Sequence, residues 1–206
     1  MFKLIGVIGD VHLEYEKLQL AHNYLNNLKV EQIFCTGDIV NYDSKTEYEF
    51  EIADFCIKFI MKNNILTVLG NHDDWYKSNE IISPESFLYL KKLPKIIEFK
   101  DIESDVLFCH GIGNNYMAKI NPDDYGYAIE SNFEFNDAKT RYSIIINGHS
   151  HRKMVRNFGG VTVINAGTLH RRDDSGFIRV DFEKRDVVFF EFDNENEIIE
   201  RESIGW

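Results

Sequence analysis

The chain has 206 residues, 44% of them hydrophobic, and a formal net charge of -11. That length supports one sizeable core, and the scattered Gly and Pro mark no linker, low-complexity run or solenoid repeat, so a single domain over residues 1–206 is expected. The acidity argues against a long nucleic-acid partner, because phosphate affinity rests on Lys and Arg neutralising the backbone.

Met1 leads within two residues into an apolar run that lacks the basic start and cleavage site of a signal peptide, and no segment approaches membrane-spanning length. Cys35, Cys56 and Cys109 are an odd number, each within an apolar run, which suits buried free thiols in a reducing compartment. A cytoplasmic protein without a membrane partner is expected. Nothing in the sequence indicates the oligomeric state.

In chain order, residues 3–8 read as a short buried strand ending at a Gly-Asp turn. Leu18, Ala21, Leu25 and Leu28 recur at helical spacing, and residues 32–35 form the next strand. Thr46 and Glu49 stand as a capping box before a helix whose buried face takes Ile52, Cys56, Phe59 and Ile60. Residues 65–69 are a third strand, and Ser83-Pro84 supplies an N-cap and first-turn proline for a helix to about Leu90. Strands follow at 95–99 and 105–109, then a short helix at 133–140, an apolar run at 143–147, and strands at 160–164, 176–182 and 187–192. Alternation early and strands late predict an α/β fold: two mixed β-sheets packed together and flanked by helices, with parallel strands first and an antiparallel hairpin last.

Near the ends of these apolar runs lie five motifs: Gly9-Asp10-Val11-His12, Gly37-Asp38, Gly70-Asn71-His72-Asp73, His110-Gly111 and Gly148-His149-Ser150-His151. They hold five of the seven histidines. Hard carboxylate and amide oxygens with imidazole nitrogens, and no thiolate, suit Mn, Fe, Zn, Co or Ni. Most of these donors are tens of residues apart, so a sheet whose loops converge at the carboxyl ends of its strands must gather them. An extended backbone after each strand would send Asp10 and His12, and likewise His149 and His151, to one side. The glycines of these motifs fit tight turns and close backbone approach.

The ordered series Asp-x-His, Gly-Asp, Gly-Asn-His-Asp, His and Gly-His-x-His resembles the calcineurin-like metallophosphoesterase superfamily, and Asn165-Ala166-Gly167-Thr168 looks most like its small bacterial and archaeal phosphodiesterase branch. The similarity covers roughly residues 3–192. It implies an αββα sandwich and two divalent transition-metal ions, Mn being favoured. Asp10, His12 and His151 would hold one ion, Asn71, His110 and His149 the other, and Asp38 would bridge them, with a hydroxide between the ions as nucleophile. His72 would stabilise the transition state or protonate the leaving oxygen, oriented by Asp73. The substrate implied is a small phosphoester, a diester before a monoester.

Taken singly, Gly37-Asp38 reads as an ordinary turn and His110 as a satisfied, partly buried histidine. Jointly the ordered set reverses that balance. His22 reads as a helix-surface residue, and His170 has no motif to support it. Arg171 and Arg172 either reach a substrate phosphate through bidentate bonds or form a solvated turn. Trp75 and Tyr76 favour packing over stacking on a substrate ring. Ala166 stands where that branch often has Pro. Residues 111–130 match no pattern and are expected to shape specificity.

Three other readings compete. A Ser/Thr-type protein phosphatase would carry Gly-Asp-x-x-Asp-Arg-Gly and Gly-Asn-His-Glu, whereas residues 37–43 run Gly-Asp-Ile-Val-Asn-Tyr-Asp and the later motif ends in Asp73. A dinucleoside polyphosphate hydrolase stays open. A metal-poor scaffold of the same fold, like the retromer subunit, would be expected to lose the histidine that stands here as His72.

Overall fold

The computed structural model describes residues 2–76, 82–101 and 104–206. The elements begin β1 (Leu4–Ile8), α1 (Tyr15–Asn27), β2 (Gln32–Cys35), α2 (Glu47–Lys62), β3 (Leu66–Thr67), α3 (Asn71–Tyr76) and α4 (Pro84–Lys92). They continue β4 (Ile96–Lys100), β5 (Asp105–Cys109), α5 (Tyr127–Glu130), α6 (Phe133–Ala138), β6 (Ile144–Asn147), β7 (Met154–Phe158) and β8 (Val161–Asn165). The chain closes with β9 (Gly176–Asp181), β10 (Asp186–Phe192) and β11 (Ile198–Gly205).

One sheet runs β11-β10-β9-β1-β2-β3 and the other β4-β5-β6-β8-β7. In the first, β1, β2 and β3 are parallel and β9 pairs antiparallel with β1. In the second, β5, β6 and β8 are parallel. Both sheets are mixed, as expected.

Side-chain alternation makes the layers. Ile5 and Val7 of β1 meet Val106 and Phe108 of β5 and Ile144 and Ile146 of β6 in the cluster between the sheets. The opposite faces turn to the helices: Ile8 joins Leu18, Ala21 and Leu25 of α1 and Cys56, Ile57 and Ile60 of α2, while Leu107 and Ile145 join Phe135 and Ala138 of α6. A strand buried on both faces reads as a continuous apolar run, which is why β1, β5 and β6 were legible in the sequence. The three cysteines are buried and free. No helix among the described residues is long and apolar enough to cross a membrane.

Several expectations need adjusting. The strand expected over 65–69 contributes only Leu66–Thr67, because the Leu69 N–H turns to the Pro94 carbonyl at 2.8 Å. The buried face of α2 is rotated slightly: Ala53 and Ile57 are fully buried, while Ile52 and Phe59 are half-buried. The elements β7 and β11 were not foreseen. Both are edge strands: β11 is mostly exposed, and β7 buries only Met154 and Phe158 at its ends, around the polar Arg156 and Asn157, so neither shows a clear apolar period. The short helices α3 and α5 were not foreseen either, being too short to show a period.

The capping box forms as read. The Thr46 side chain accepts the Glu49 N–H at 3.2 Å, and the Glu49 carboxylate accepts the Thr46 N–H at 3.0 Å. Thr46→Ala should therefore lower the unfolding free energy by about 1 kcal/mol, measured by urea denaturation. No change would mean that the exposed first turn of α2 frays in solution.

Candidate metal centre

The loops that follow β1, β2, β3, β5, β6 and β8 come together at one end of the two sheets, and hydrogen bonds between loops fix their spacing. The Asp38 carbonyl accepts the N–H groups of Val11 at 3.0 Å and His12 at 2.8 Å. An isolated parallel bridge joins Asp10 to Thr168, whose hydroxyl donates to the Asp10 carbonyl at 2.7 Å. The Asp10 carboxylate accepts from the Thr36 hydroxyl at 2.7 Å and from the His149 N–H at 2.8 Å. One buried carboxylate thus ties three loops together.

Close approach explains two of the glycines. A Cβ on Gly70 would lie 2.2 Å from both Asp38 N and Asp38 Oδ1, and one on Gly148 would lie 2.2 Å from Asp10 Oδ1. Either substitution would displace a carboxylate of the site. The expectation of extended backbone at the ligand pairs is corrected: His12, Asp38, His149 and His151 have φ of +49°, +43°, +63° and +59°. Left-handed turns, costly for residues with a Cβ, aim these side chains instead of strand alternation.

The donors cluster as three overlapping groups, Asp10/His12/His151, His12/Asp38/His72 and Asp38/His110/His149, each with its ligand atoms within 4.8 Å of one another. Asp38 Oδ2 lies 3.8 Å from His12 Nε2, 3.5 Å from His110 Nε2 and 3.9 Å from His72 Nε2. Asn71 Oδ1 is 2.9 Å from His110 Nε2. All seven sequence-predicted ligands meet here, with Asp38 at the centre.

The charges fit a cation. His12 Nδ1 is bonded to Asn41 Oδ1 at 2.7 Å, so it carries the proton and Nε2 presents a lone pair. That Nε2 is 2.9 Å from His151 Nε2, close enough for the two nitrogens to share a proton or flank a cation. Burial pushes His12 and His149 down to about 4, with His110 further lowering His149, so both rings are neutral and able to bind metal. Burial also acts to lower His151, but Asp10 and Asp173 outweigh it and raise it to about 9. A proton is drawn to the place a metal ion suits. Burial and the neighbouring Asp10 raise Asp38 well above the usual carboxylate range. For Asp10 burial acts upward too, but His110, His151 and His12 hold it below that range.

His72 differs. Its Nδ1 accepts the Tyr42 N–H at 3.2 Å, which leaves the proton on Nε2, the atom facing Asp38. Burial lowers it to about 4, so it is a neutral donor. The expectation that Asp73 orients His72 is corrected. Asp73 Oδ1 accepts the N–H groups of Ile39 at 2.8 Å and Val40 at 3.3 Å, and Oδ2 accepts that of Gly70 at 3.1 Å. It braces the Asp38 and Asn71 loops, while Tyr42 sets the His72 ring. Burial, then repulsion from Asp38, raises Asp73 to about 7 despite those bonds.

The calcineurin-like phosphoesterase superfamily domain matches residues 4–185, most of the chain. The chain belongs to that superfamily. It is accordingly a metal-dependent phosphoric ester hydrolase. The uncharacterized protein MJ0912 of Methanocaldococcus jannaschii is 26% identical over 197 residues, covering 85% of this chain and 73% of that one. The structure of hypothetical protein PH1004 from Pyrococcus horikoshii OT3 superposes with a TM-score of 0.71 at 18% identity, over 93% of this chain and 89% of that one. A structure described as a novel archaeal phosphodiesterase gives 0.55 at 17% identity, over 96% and 98%. At those identities the two structures share the fold.

Of the remaining sequence candidates, Tyr76 is fully buried in the core, as packing required, and Trp75 is 42% exposed. His22 lies on the outer part of α1, edge-on to Phe59. Arg171 lines a groove of about 580 Å³ shared with His12, Asn41, Tyr48 and His170. Arg172 is exposed, its N–H donating to His170 Nδ1 at 3.4 Å. In the 111–130 stretch, Tyr116 donates to Asp74 at 2.8 Å, while Tyr125 and Tyr127 are each 82% exposed. Sequence reasoning missed His170, whose ring centroid is 5.6 Å from that of His12, and also Asn41, Tyr42 and Asp173. Asn41 and Tyr42 are marked only by following Asp38 in sequence, and His170 and Asp173, on the loop after β8, by no local signal.

Asp73→Ala should leave three buried amides without an acceptor and lower the unfolding free energy by roughly 2–3 kcal/mol, whereas His72→Gln should cost less than about 1 kcal/mol. Urea denaturation in the presence of divalent metal compares them. The opposite ranking would return Asp73 to a role at His72.

Proposed function

We propose that this chain hydrolyses small phosphodiesters at a dinuclear metal site. The observation that carries the reading is the convergence of two ligand groups on one carboxylate, Asp38, beside a protonated His72 Nε2. Asp10, His12 and His151 would hold one ion, and Asn71, His110 and His149 the other, with Asp38 shared. Hard oxygen and imidazole donors favour Mn, with Fe, Zn, Ni and Co acceptable. Two such ions, when bound, supply Lewis acidity and a nucleophile at neutral pH.

The chain's own residues do the rest. His72, neutral and held by the Tyr42 amide, donates from Nε2 to a phosphoryl or leaving oxygen, a task suited to an imidazole with a fixed tautomer. The groove shared by His12, Asn41, His170 and Arg171 receives an ester substituent. Two of the arginines that follow His151 in sequence are already committed to other partners. Arg152, next to His151, is committed to Asp123 at 2.5 Å, and Arg156 to the carbonyls of Pro122 and Asp124. Diesters are therefore favoured, and the net charge of -11 disfavours long nucleic acid. A cytoplasmic location completes the reading.

Chelation should abolish activity and reconstitution should restore it with more than one equivalent of metal by elemental analysis. Matched bis-aryl and mono-aryl phosphates should show higher kcat/KM for the diester. A clear monoester preference would overturn the substrate assignment, and full activity in metal-free protein the metal assignment.

His72→Gln should lower kcat by about 10²-fold or more with unchanged metal content, and the loss should shrink for substrates with good leaving groups. Loss of metal in this variant would make His72 a ligand.

A further inference from the structure

We propose that Asp173 is the positioning residue of His151, fixing the ring on which one of the two metal positions depends. The inference rests on the dinuclear reading above. Asp173 Oδ2 lies 3.0 Å from His151 Nδ1, while the other nitrogen of that ring, Nε2, faces Asp10 Oδ2 at 3.3 Å. A carboxylate on Nδ1 keeps the proton there, presents Nε2 to the metal position and resists rotation of the ring. Asp173 itself belongs to none of the ligand groups.

The loop carrying this carboxylate is built rather than loose. At its start, the Leu169 N–H donates to the Asp10 carbonyl at 2.8 Å. The Leu169 carbonyl accepts from the Ser175 hydroxyl at 2.7 Å, and the buried Lys17 ammonium reaches Ser175 Oγ at 3.1 Å, closing the loop from beneath. Within it, the Arg171 N–H is held by Glu14 Oε1 at 3.1 Å, and the Asp173 N–H by the His170 carbonyl at 3.1 Å. The same Asp173 oxygen lies 3.4 Å from His170 Nδ1, so two imidazoles flank it.

The arrangement is asymmetric. His12 and His110 direct Nδ1 to neutral carbonyls, those of Asn41 at 2.7 Å and Thr36 at 2.8 Å. His151 directs its own to a carboxylate. Asp173 therefore acts on the Asp10/His12/His151 position and not on the Asn71/His110/His149 position.

The test is a titration of the full-length chain with Mn²⁺ against a chelating indicator, resolving the binding steps. Asp173→Ala should weaken one step by about 10- to 100-fold and leave the other within about threefold. Asp173→Asn, which keeps a carbonyl acceptor, should lose less. Asp174→Asn, a neighbouring exposed residue, should change neither step. In a His151→Ala background, Asp173→Ala should have no further effect, because its route to the metal is gone. Unchanged steps in Asp173→Ala, equal weakening of both, or a full additional loss in the His151→Ala background would each overturn the proposal. A single binding step in the wild-type protein would refute the dinuclear reading instead. Asp173 would then be judged by whether Asp173→Ala weakens that step.

Discussion

Three carboxylates, those of Asp10, Asp38 and Asp73, are buried together where the loops of the two sheets meet. Burial of like charges is unfavourable unless hydrogen bonds and positive charge offset it. Asp73 is met by backbone amides on both oxygens, and Asp10 by a hydroxyl, an amide and flanking imidazoles. Asp38 accepts the His72 N–H at 2.9 Å on one oxygen, and its other oxygen faces three imidazoles. The residual negative charge centred there is what a cation site requires. The surrounding loops are arranged by the same contacts.

The cost of this arrangement is visible in the backbone. Four of the residues proposed as ligands sit at positive φ without being glycine, a conformation costing of the order of 1 kcal/mol or more each. Cross-loop hydrogen bonds and the glycines at 70 and 148 allow it, by letting one loop lie directly on the next. The two-sheet core below is dense and apolar and supplies the stability that the site lacks. A rigid scaffold carrying strained loops is a common basis for catalysis.

Tautomers divide the histidines into roles that their spacing alone does not separate. Where Nδ1 gives its proton to an oxygen, as in His12, Nε2 is left to bind metal. Where Nδ1 accepts from a backbone amide, as in His72, Nε2 is left to donate. A single amide, that of Tyr42, thus sets the His72 tautomer apart from that of His12.

The sequence by itself determined the strands buried on both faces, the α1 and α2 helices, the Thr46 cap and the motifs whose donor side chains gather at one place, because apolar periodicity and short donor motifs are local properties. It left β7 and β11 unread, since β11 is mostly exposed and the two buried residues of β7, Met154 and Phe158, are separated by the polar Arg156 and Asn157. The family resemblance paired Asp73 with His72, whereas in helix α3 the two side chains turn to different partners. Only the tertiary structure brought His170 and Asp173 to His151, and Asn41 to His12. Those contacts join residues from separate loops, and their geometry is set by left-handed turns and cross-loop hydrogen bonds that no local pattern encodes.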